Sequence, residues 1–221
     1  SVPCPSYSVT SNYSPGDAFS VGTTQVVYVL RNGAVETDFC TFNVTVNDNG
    51  TPVITCADDQ IRNVDVSECN YTVSGTEIDP VYTFNNCPFT LTNDLTGNSS
   101  LAGVQIPAGI TTVLWTISGL SGNSASCSMD IVVNDNIAPT IVPVANRIED
   151  VGTDCRFTIP DYRLMTSVTD NCGTPAVSQI PVPGTIISGA GFVQTITITA
   201  SDTYNNSSSI SFSLTLADNT P

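Results

Sequence analysis

Val46-Asn47-Asp48-Asn49-Gly50-Thr51-Pro52-Val53-Ile54 returns as Val133-Asn134-Asp135-Asn136-Ile137-Ala138-Pro139-Thr140-Ile141, and Ala217-Asp218-Asn219-Thr220-Pro221 is a shortened third copy. Pro52 and Pro139 lie 87 residues apart, and the same shift carries Cys40 onto Cys127, Tyr28 onto Trp115 and Gly22 onto Gly109. A period this long does not suit a stacked solenoid and does suit one small domain per repeat. The expected layout is the C-terminal part of a module over residues 1–51, a complete module over 52–138 and a second over 139–221.

Ahead of each copy stand two apolar, β-branched stretches that alternate in polarity. They are Thr23 to Leu30 with Phe39 to Val46, Ile110 to Ser118 with Ser126 to Asn134, and Gln194 to Ser201 with Ser209 to Leu216. Alternation of this kind marks half-buried strands. The turns between them, Arg31-Asn32-Gly33-Ala34, Gly119 to Asn123 and Asp202 to Asn206, hold Gly and Asn that tolerate positive φ, so each pair reads as a hairpin. Earlier in each whole unit come Pro-x-Ile, a short strand near Ile61 or Arg147, and Cys69-Asn70-Tyr71-Thr72-Val73 or its counterpart from Cys155. About seven short strands per unit and no long helical periodicity predict an all-β chain of tandem immunoglobulin-like antiparallel β-sandwiches.

Composition narrows the function. A module of this size has a small core and gains from covalent staples. Eight cysteines at wide spacing, without histidine or a Cys-x-x-Cys pair, predict disulfides and an oxidising, extracytoplasmic setting. Net charge is −15, with five arginines and no lysine. Such a surface repels nucleic acid and anionic membranes, and no apolar run is long enough to span a bilayer. No signal peptide is visible ahead of Ser1-Val2-Pro3-Cys4, and the chain reads as part of a longer secreted precursor. Catalysis is not expected: without histidine or lysine most nucleophile and base arrangements lack a base. The acidic pairs Glu77 with Asp79 and Glu149 with Asp150 sit in turn-like segments and read as solvated surface.

The ordered set Pro52 to Cys56, Asp170-Asn171-Cys172, Gly109 to Trp115, Gly122-Asn123 and Cys127 to Asp135 resembles the hyalin repeat, or HYR, module along essentially the whole chain. Units with extra middle cysteines look like those of giant bacterial surface adhesins, including gliding-motility adhesins of Bacteroidetes. The resemblance implies a structural or adhesive stalk whose partners are neighbouring repeats and a surface polysaccharide or other cell-surface molecule. The third unit departs from the pattern with Pro143 and Ile210 at the first and last cysteine positions, and Asn205-Asn206 at the turn.

Loss of those two cysteines together suggests that Cys56 pairs with Cys127 and Cys69 with Cys87, with Cys155–Cys172 as the downstream equivalent. Cys4 and Cys40 then either bond each other or take partners upstream of Ser1.

The junctions admit two readings. Asp48 with Asn49, and Asp135 with Asn136, could supply oxygen ligands to calcium, helped by Asp58, Asp59, Glu149, Asp150 or Asp202. Asp and Asn ahead of Pro also form Asx turns without any metal, and no cofactor is required. Tyr28 and Trp115 are expected in the core. Sequons at Asn12, Asn43, Asn70, Asn98, Asn205 and Asn206 matter only in a host that glycosylates. Besides the stalk, two readings stay open. One is ligand binding through the variable middles, where Tyr82, Phe84, Phe89 and Tyr162 are the residues to inspect. The other is an accessory array beside a secreted enzyme.

Overall fold

The computed structural model describes residues 6–84 and 87–219. Nineteen strands and one short 3-10 turn make up the regular structure among them, with no α-helix. The chain divides into two compact units. The first is formed from residues 1–58, 75–102 and 112–129, and the second from 59–74, 103–111 and 130–221.

The first unit begins with β1 (Tyr7–Ser11), β2 (Gly22–Asn32) and β3 (Val35–Val46), an antiparallel sheet in that order. The β2–β3 hairpin is the expected one, and its turn has Gly33 at φ 64°, the left-handed region that glycine enters without a Cβ penalty. Its apolar face is largely open. Val26 is buried, but Val9 and Phe42 are exposed, and Tyr28 is 40% exposed where a core residue was expected. Burying one face of a sheet takes a second layer. Val9, Tyr28, Leu30, Asp38, Phe39 and Cys40 line an open hollow.

Between the two copies of the Asn-Asp-Asn segment the chain forms β4 (Val53–Thr55), β5 (Gln60–Asn63), β6 (Asn70–Thr72), β7 (Val81–Thr83), β8 (Phe89–Asn93), β9 (Gln105–Pro107), β10 (Gly109–Gly119) and β11 (Ser124–Asn134). In the first unit β4 pairs with β7 and β8 with the distal half of β10. Strict alternation along β10 sends Val113, Trp115 and Ile117 inward, and all three are fully buried. Trp115 therefore fills the core position that its counterpart Tyr28 leaves open to solvent. Buried Asn93 is satisfied locally: its carboxamide accepts from Thr96 N at 2.7 Å and donates to Asn98 O at 2.8 Å, folding the β8 exit into a tight turn.

In the second unit β6 pairs with β9, and β5 runs parallel to the end of β11, matching Ile131 to Gln60. The chain goes on through β12 (Thr140–Ile141), β13 (Arg147–Asp150), β14 (Arg156–Thr158), the 3-10 turn Tyr162–Met165, β15 (Val168–Thr169), β16 (Ala176–Ile180), β17 (Ile186–Ser188), β18 (Val193–Ser201) and β19 (Ser207–Ala217). One sheet has the order β13-β19-β18-β16, flanked by the pairs β12–β15 and β14–β17 in a sandwich-like arrangement. The parallel β13–β19 contact repeats that of β5 with β11, so the sandwiches are antiparallel except where the second strand of each repeat meets the closing one.

Ile196, Ile198, Phe212 and Leu214 from the β18–β19 ladder meet Ile159 and Tyr162 in one buried cluster. Tyr162 meets Phe212 edge-to-face at 5.1 Å. Buried Gln179 holds the 3-10 turn to β16: its Oε1 accepts from Tyr162 N at 2.8 Å and its amide donates to the carbonyls of Pro160 and Pro181 at 3.1 Å each. Ile198→Ala is expected to cost about 2–5 kcal/mol of stability, through lost transfer energy plus a cavity. Leu164→Ala, at a side chain that is 85% exposed, stays within about 0.5 kcal/mol. Urea unfolding followed by circular dichroism compares the two.

Candidate functional site

Each closing strand, β3 and β11, runs directly into an Asn-Asp-Asn segment, and the aspartate turns inward. Asp48 and Asp135 are both 7% exposed, while Asn49 and Asn136 are exposed. Both carboxylates close an Asx turn: Gly50 N donates to Asp48 Oδ1 at 2.8 Å, and Ile137 N to Asp135 Oδ1 at 3.1 Å. The prolines that follow, Pro52 and Pro139, are buried.

At Asp48, in the first unit, the neighbours come from the β10–β11 turn. Ser121 Oγ accepts from Asp48 N at 2.8 Å, and Asn123 donates its amide to Asp48 Oδ2 at 3.4 Å and to the Gly50 carbonyl. The Cys87 thiol also hydrogen-bonds Asp48. Burial first, then the Asp48 charge and that hydrogen bond, push the Cys87 thiol above its usual value.

At Asp135, in the second unit, the corresponding neighbours carry charge. Asp170, from the loop after β15, and Asp202, from the β18–β19 turn, each place a carboxylate oxygen within 4.8 Å of one another and of Asp135. Asn206 Nδ2 donates to Asp135 O at 3.1 Å and to Asp202 Oδ2 at 2.8 Å. Asn171 Nδ2 donates to Glu68 O at 3.0 Å and to Asp135 Oδ1 at 3.4 Å. Asp135 Oδ2, Asp170 Oδ1 and Asn171 Oδ1 are buried and accept no hydrogen bond. None of the ion pairs found among the described residues includes the three acids. Converging, uncompensated oxygens of this kind fit a hard divalent cation, which takes six to eight oxygen ligands and completes its shell with water or backbone. The donor set thus differs from the sequence expectation. The carboxylates that meet Asp135 are Asp170 and Asp202, and exposed Asn136 is not their companion.

The other acids considered have separate tasks. Asp59 Oδ1 accepts from Asp130 N at 2.9 Å, Asp150 Oδ1 accepts from Asn219 N at 3.0 Å, and Glu149 pairs with Arg147. Asp79 Oδ1 holds Leu101 N at 2.9 Å. These are loop fastenings between parts of the same unit.

Cys56 and Cys127 form a disulfide with Cα atoms 5.7 Å apart. Cys69 is bonded to Cys172, not to Cys87, with Cα atoms 4.7 Å apart, so the expected Cys69–Cys87 and Cys155–Cys172 pairs do not form. The cause is local. The Asn171 amide reaches Glu68 O and brings the Asp170-Asn171-Cys172 loop against Cys69, while Cys87 sits beside Asp48 in the other unit. The Cys69–Cys172 bond joins the second sequence repeat to the third. Cys155 and Cys40 are exposed and have no disulfide partner among the described residues, and the expected Cys4–Cys40 pair lies outside them because Cys4 is not described. Loop-closure entropy makes each of these bridges worth about 4–5 kcal/mol in the chain-entropy account.

Of the aromatic residues in the variable middles, Tyr162 is fully buried in the core. Tyr82 and Phe89 are 40% and 38% exposed, and Phe84 is half-buried. Their rings pack against one another, Tyr82 to Phe89 at 5.3 Å with planes 65° apart and Phe84 to Phe89 at 4.9 Å with planes 36° apart.

The chain is thus an all-β protein of immunoglobulin-like sandwiches. Residues 5–46 match the HYR domain family. The chain is 30% identical over 189 residues to hyalin of Strongylocentrotus purpuratus, covering 80% of this chain and 15% of that protein. It is also 30% identical over 152 residues to hyalin of Lytechinus variegatus, covering 66% of this chain and 27% of that protein. These matches support a HYR module, and the chain spans less than a third of either hyalin. Similar solved structures include the protocadherin gamma B4 extracellular domain, with a TM-score of 0.35 at 12% identity over 97% of this chain and 42% of that one. Human CDH23 EC21-23 gives 0.37 at 15% identity over 87% and 74%.

Asp202 has a pH signature of its own. Burial raises its carboxyl pKa, but the Asn206 side chain and the backbone N–H groups of Asn206, Tyr204 and Asn205 outweigh that and hold it below the ordinary 3.8. A depressed carboxyl contributes stability that is complete above its unfolded value and is lost as pH falls through the folded one. Asp202→Asn is therefore expected to reduce the loss of thermal stability below about pH 4, read as melting temperature against pH beside the parent chain.

Proposed function

We propose that this chain is a stretch of a secreted adhesive array, in which HYR-type modules act as rigid, covalently linked spacers. The modules would be the C-terminal part of one over residues 1–51 and complete ones over 52–138 and 139–221. The open apolar face of the first sheet supports the partial first module, since Val9, Tyr28 and Phe42 occupy positions on one face that a facing layer would cover. The observation that carries the reading is the junction around Asp135, where a disulfide joins one repeat to the next beside a cluster of three carboxylates. Disulfides and the hyalin likeness favour an extracellular place at a cell surface. The paired middle cysteines favour giant bacterial surface adhesins of the gliding-motility type. The array's partners would be further repeats and a surface polysaccharide or other cell-surface molecule, and the reading assigns no catalysis. Antibodies raised against this chain should label intact source cells, and labelling confined to lysed cells would overturn the assignment.

Calcium is the cation proposed for Asp135, Asp170 and Asp202, with the Asn171 carbonyl as a further ligand. The first junction, where Asp48 stands with Asn49 and belongs to no three-acid group among the described residues, would bind more weakly. Extracellular calcium modules have dissociation constants of about 0.1–1 mM, and calcium at ten times that constant stabilises by about 1.4 kcal/mol. A melting temperature that rises with calcium, falls with chelator and no longer responds in Asp135→Asn is the expected result. An unchanged melt, with no terbium luminescence on titration, removes calcium from the account.

A second reading rests on Tyr82 and Phe89, whose exposed rings could bind a sugar face. The tilt between the rings favours mutual packing. Loss of glycan-array binding in Tyr82→Ala would favour the ligand reading, and unchanged binding would leave the trio a structural cluster.

A further inference from the structure

We propose that Cys155 is the outgoing half of a second inter-repeat disulfide, whose receiving cysteine lies on the Asn-Cys loop of a following module in the same polypeptide. The inference rests on the array reading above and extends it from one linkage to a repeating one.

Cys69 and Cys155 occupy the same place in successive repeats. Cys69 directly precedes β6, which pairs with β9, and its carbonyl accepts from Ala108 N at 3.1 Å, just past the end of β9. Cys155 directly precedes β14, which pairs with β17, and its carbonyl accepts from Gly189 N at 3.3 Å, just past the end of β17. Strand register and fastening are therefore reproduced, although Cys155 lies at φ 56° in a turn closed by its own N–H on Gly152 O at 2.8 Å. Cys69 bonds forward, to a cysteine 103 residues downstream in the next repeat. By the same rule Cys155 bonds forward too, and an exposed thiol at the rim of a module is placed to do so.

The receiving side repeats as well. Cys172 follows Asn171, whose amide bonds the buried junction residue Asp135, and Cys87 bonds the equivalent buried residue Asp48. In both repeats this cysteine therefore sits next to the junction aspartate's contacts, Cys87 through its own thiol and Cys172 through the adjacent Asn171. At Cys172 it is where the outgoing Cys69 of the preceding repeat arrives.

Forming the bond joins two thiols as one S–S bond and releases two protons and two electrons. The electrons pass to a protein disulfide of the thiol-oxidase class, which is reduced to its dithiol. That chemistry belongs to the oxidising compartment in which the other two bridges form.

The test uses the parent protein as secreted, alkylated before any reduction, digested without reductant and mapped by mass spectrometry. The expected product is a cross-linked peptide joining Cys155 to an Asn-Cys loop roughly 100 residues downstream, by analogy with the Cys69 linkage. In Cys155→Ser that peptide is lost and one extra cysteine, the receiving one, becomes alkylatable. Three results would overturn the proposal: Cys155 recovered fully alkylated, Cys155 bonded to Cys172 or Cys87 of its own chain, or a disulfide dimer on a non-reducing gel that disappears in Cys155→Ser. Surface labelling by antibody is independent of all three, so the relay can fail while the array reading stands.

Discussion

Burying a carboxylate at the end of a β-ladder is the constraint around which the junctions are organised. Asp48 and Asp135 leave solvent where β3 and β11 stop, and an unpaired charge there would be costly. The first return on that cost is local, a turn closed by the following N–H. The second is longer in reach. In each unit an asparagine from the next hairpin turn, Asn123 or Asn206, donates to the junction backbone and so ties that turn to the linker. The two junctions then diverge. The first meets a neutral thiol and a hydroxyl, whereas the second gathers two more carboxylates.

The long hairpins were legible because their signal is strong and local. Alternation along β10 and β18 places Trp115 and Ile198 inward, and turns with Gly122 or Asn205 at positive φ close the ladders, so neighbours in sequence settle the outcome. Tyr28 shows the limit of that logic. Its strand pattern is a core pattern, but exposure depends on a facing layer that the strand itself does not encode.

The cysteines were only half legible, for a reason specific to repeats. Aligning units shows that Cys69 corresponds to Cys155 and Cys87 to Cys172, yet a set of bonds within units and a set of bonds between units leave the same pattern of retained residues. Distances decide, and the Asn171 amide on Glu68 O supplies the missing contact. Asp170 was overlooked as a ligand for a similar reason. It sits in a variable middle, and only the fold returns that loop to Asp135. Asp202 lay within reach of sequence reasoning, since a hairpin turn beside the closing strand must come near the strand's own partners.

The parallel contact between the second and closing strands of a repeat has a mechanical consequence. β13 and β19 lie side by side in the same direction, and the backbone pairing continues through Val151 N on Ala217 O at 2.9 Å. When the two ends of such a repeat are pulled apart along the strand axis, the strands slide past each other rather than peel. The rungs are then strained together instead of opening one after another, and the resisting force is their sum.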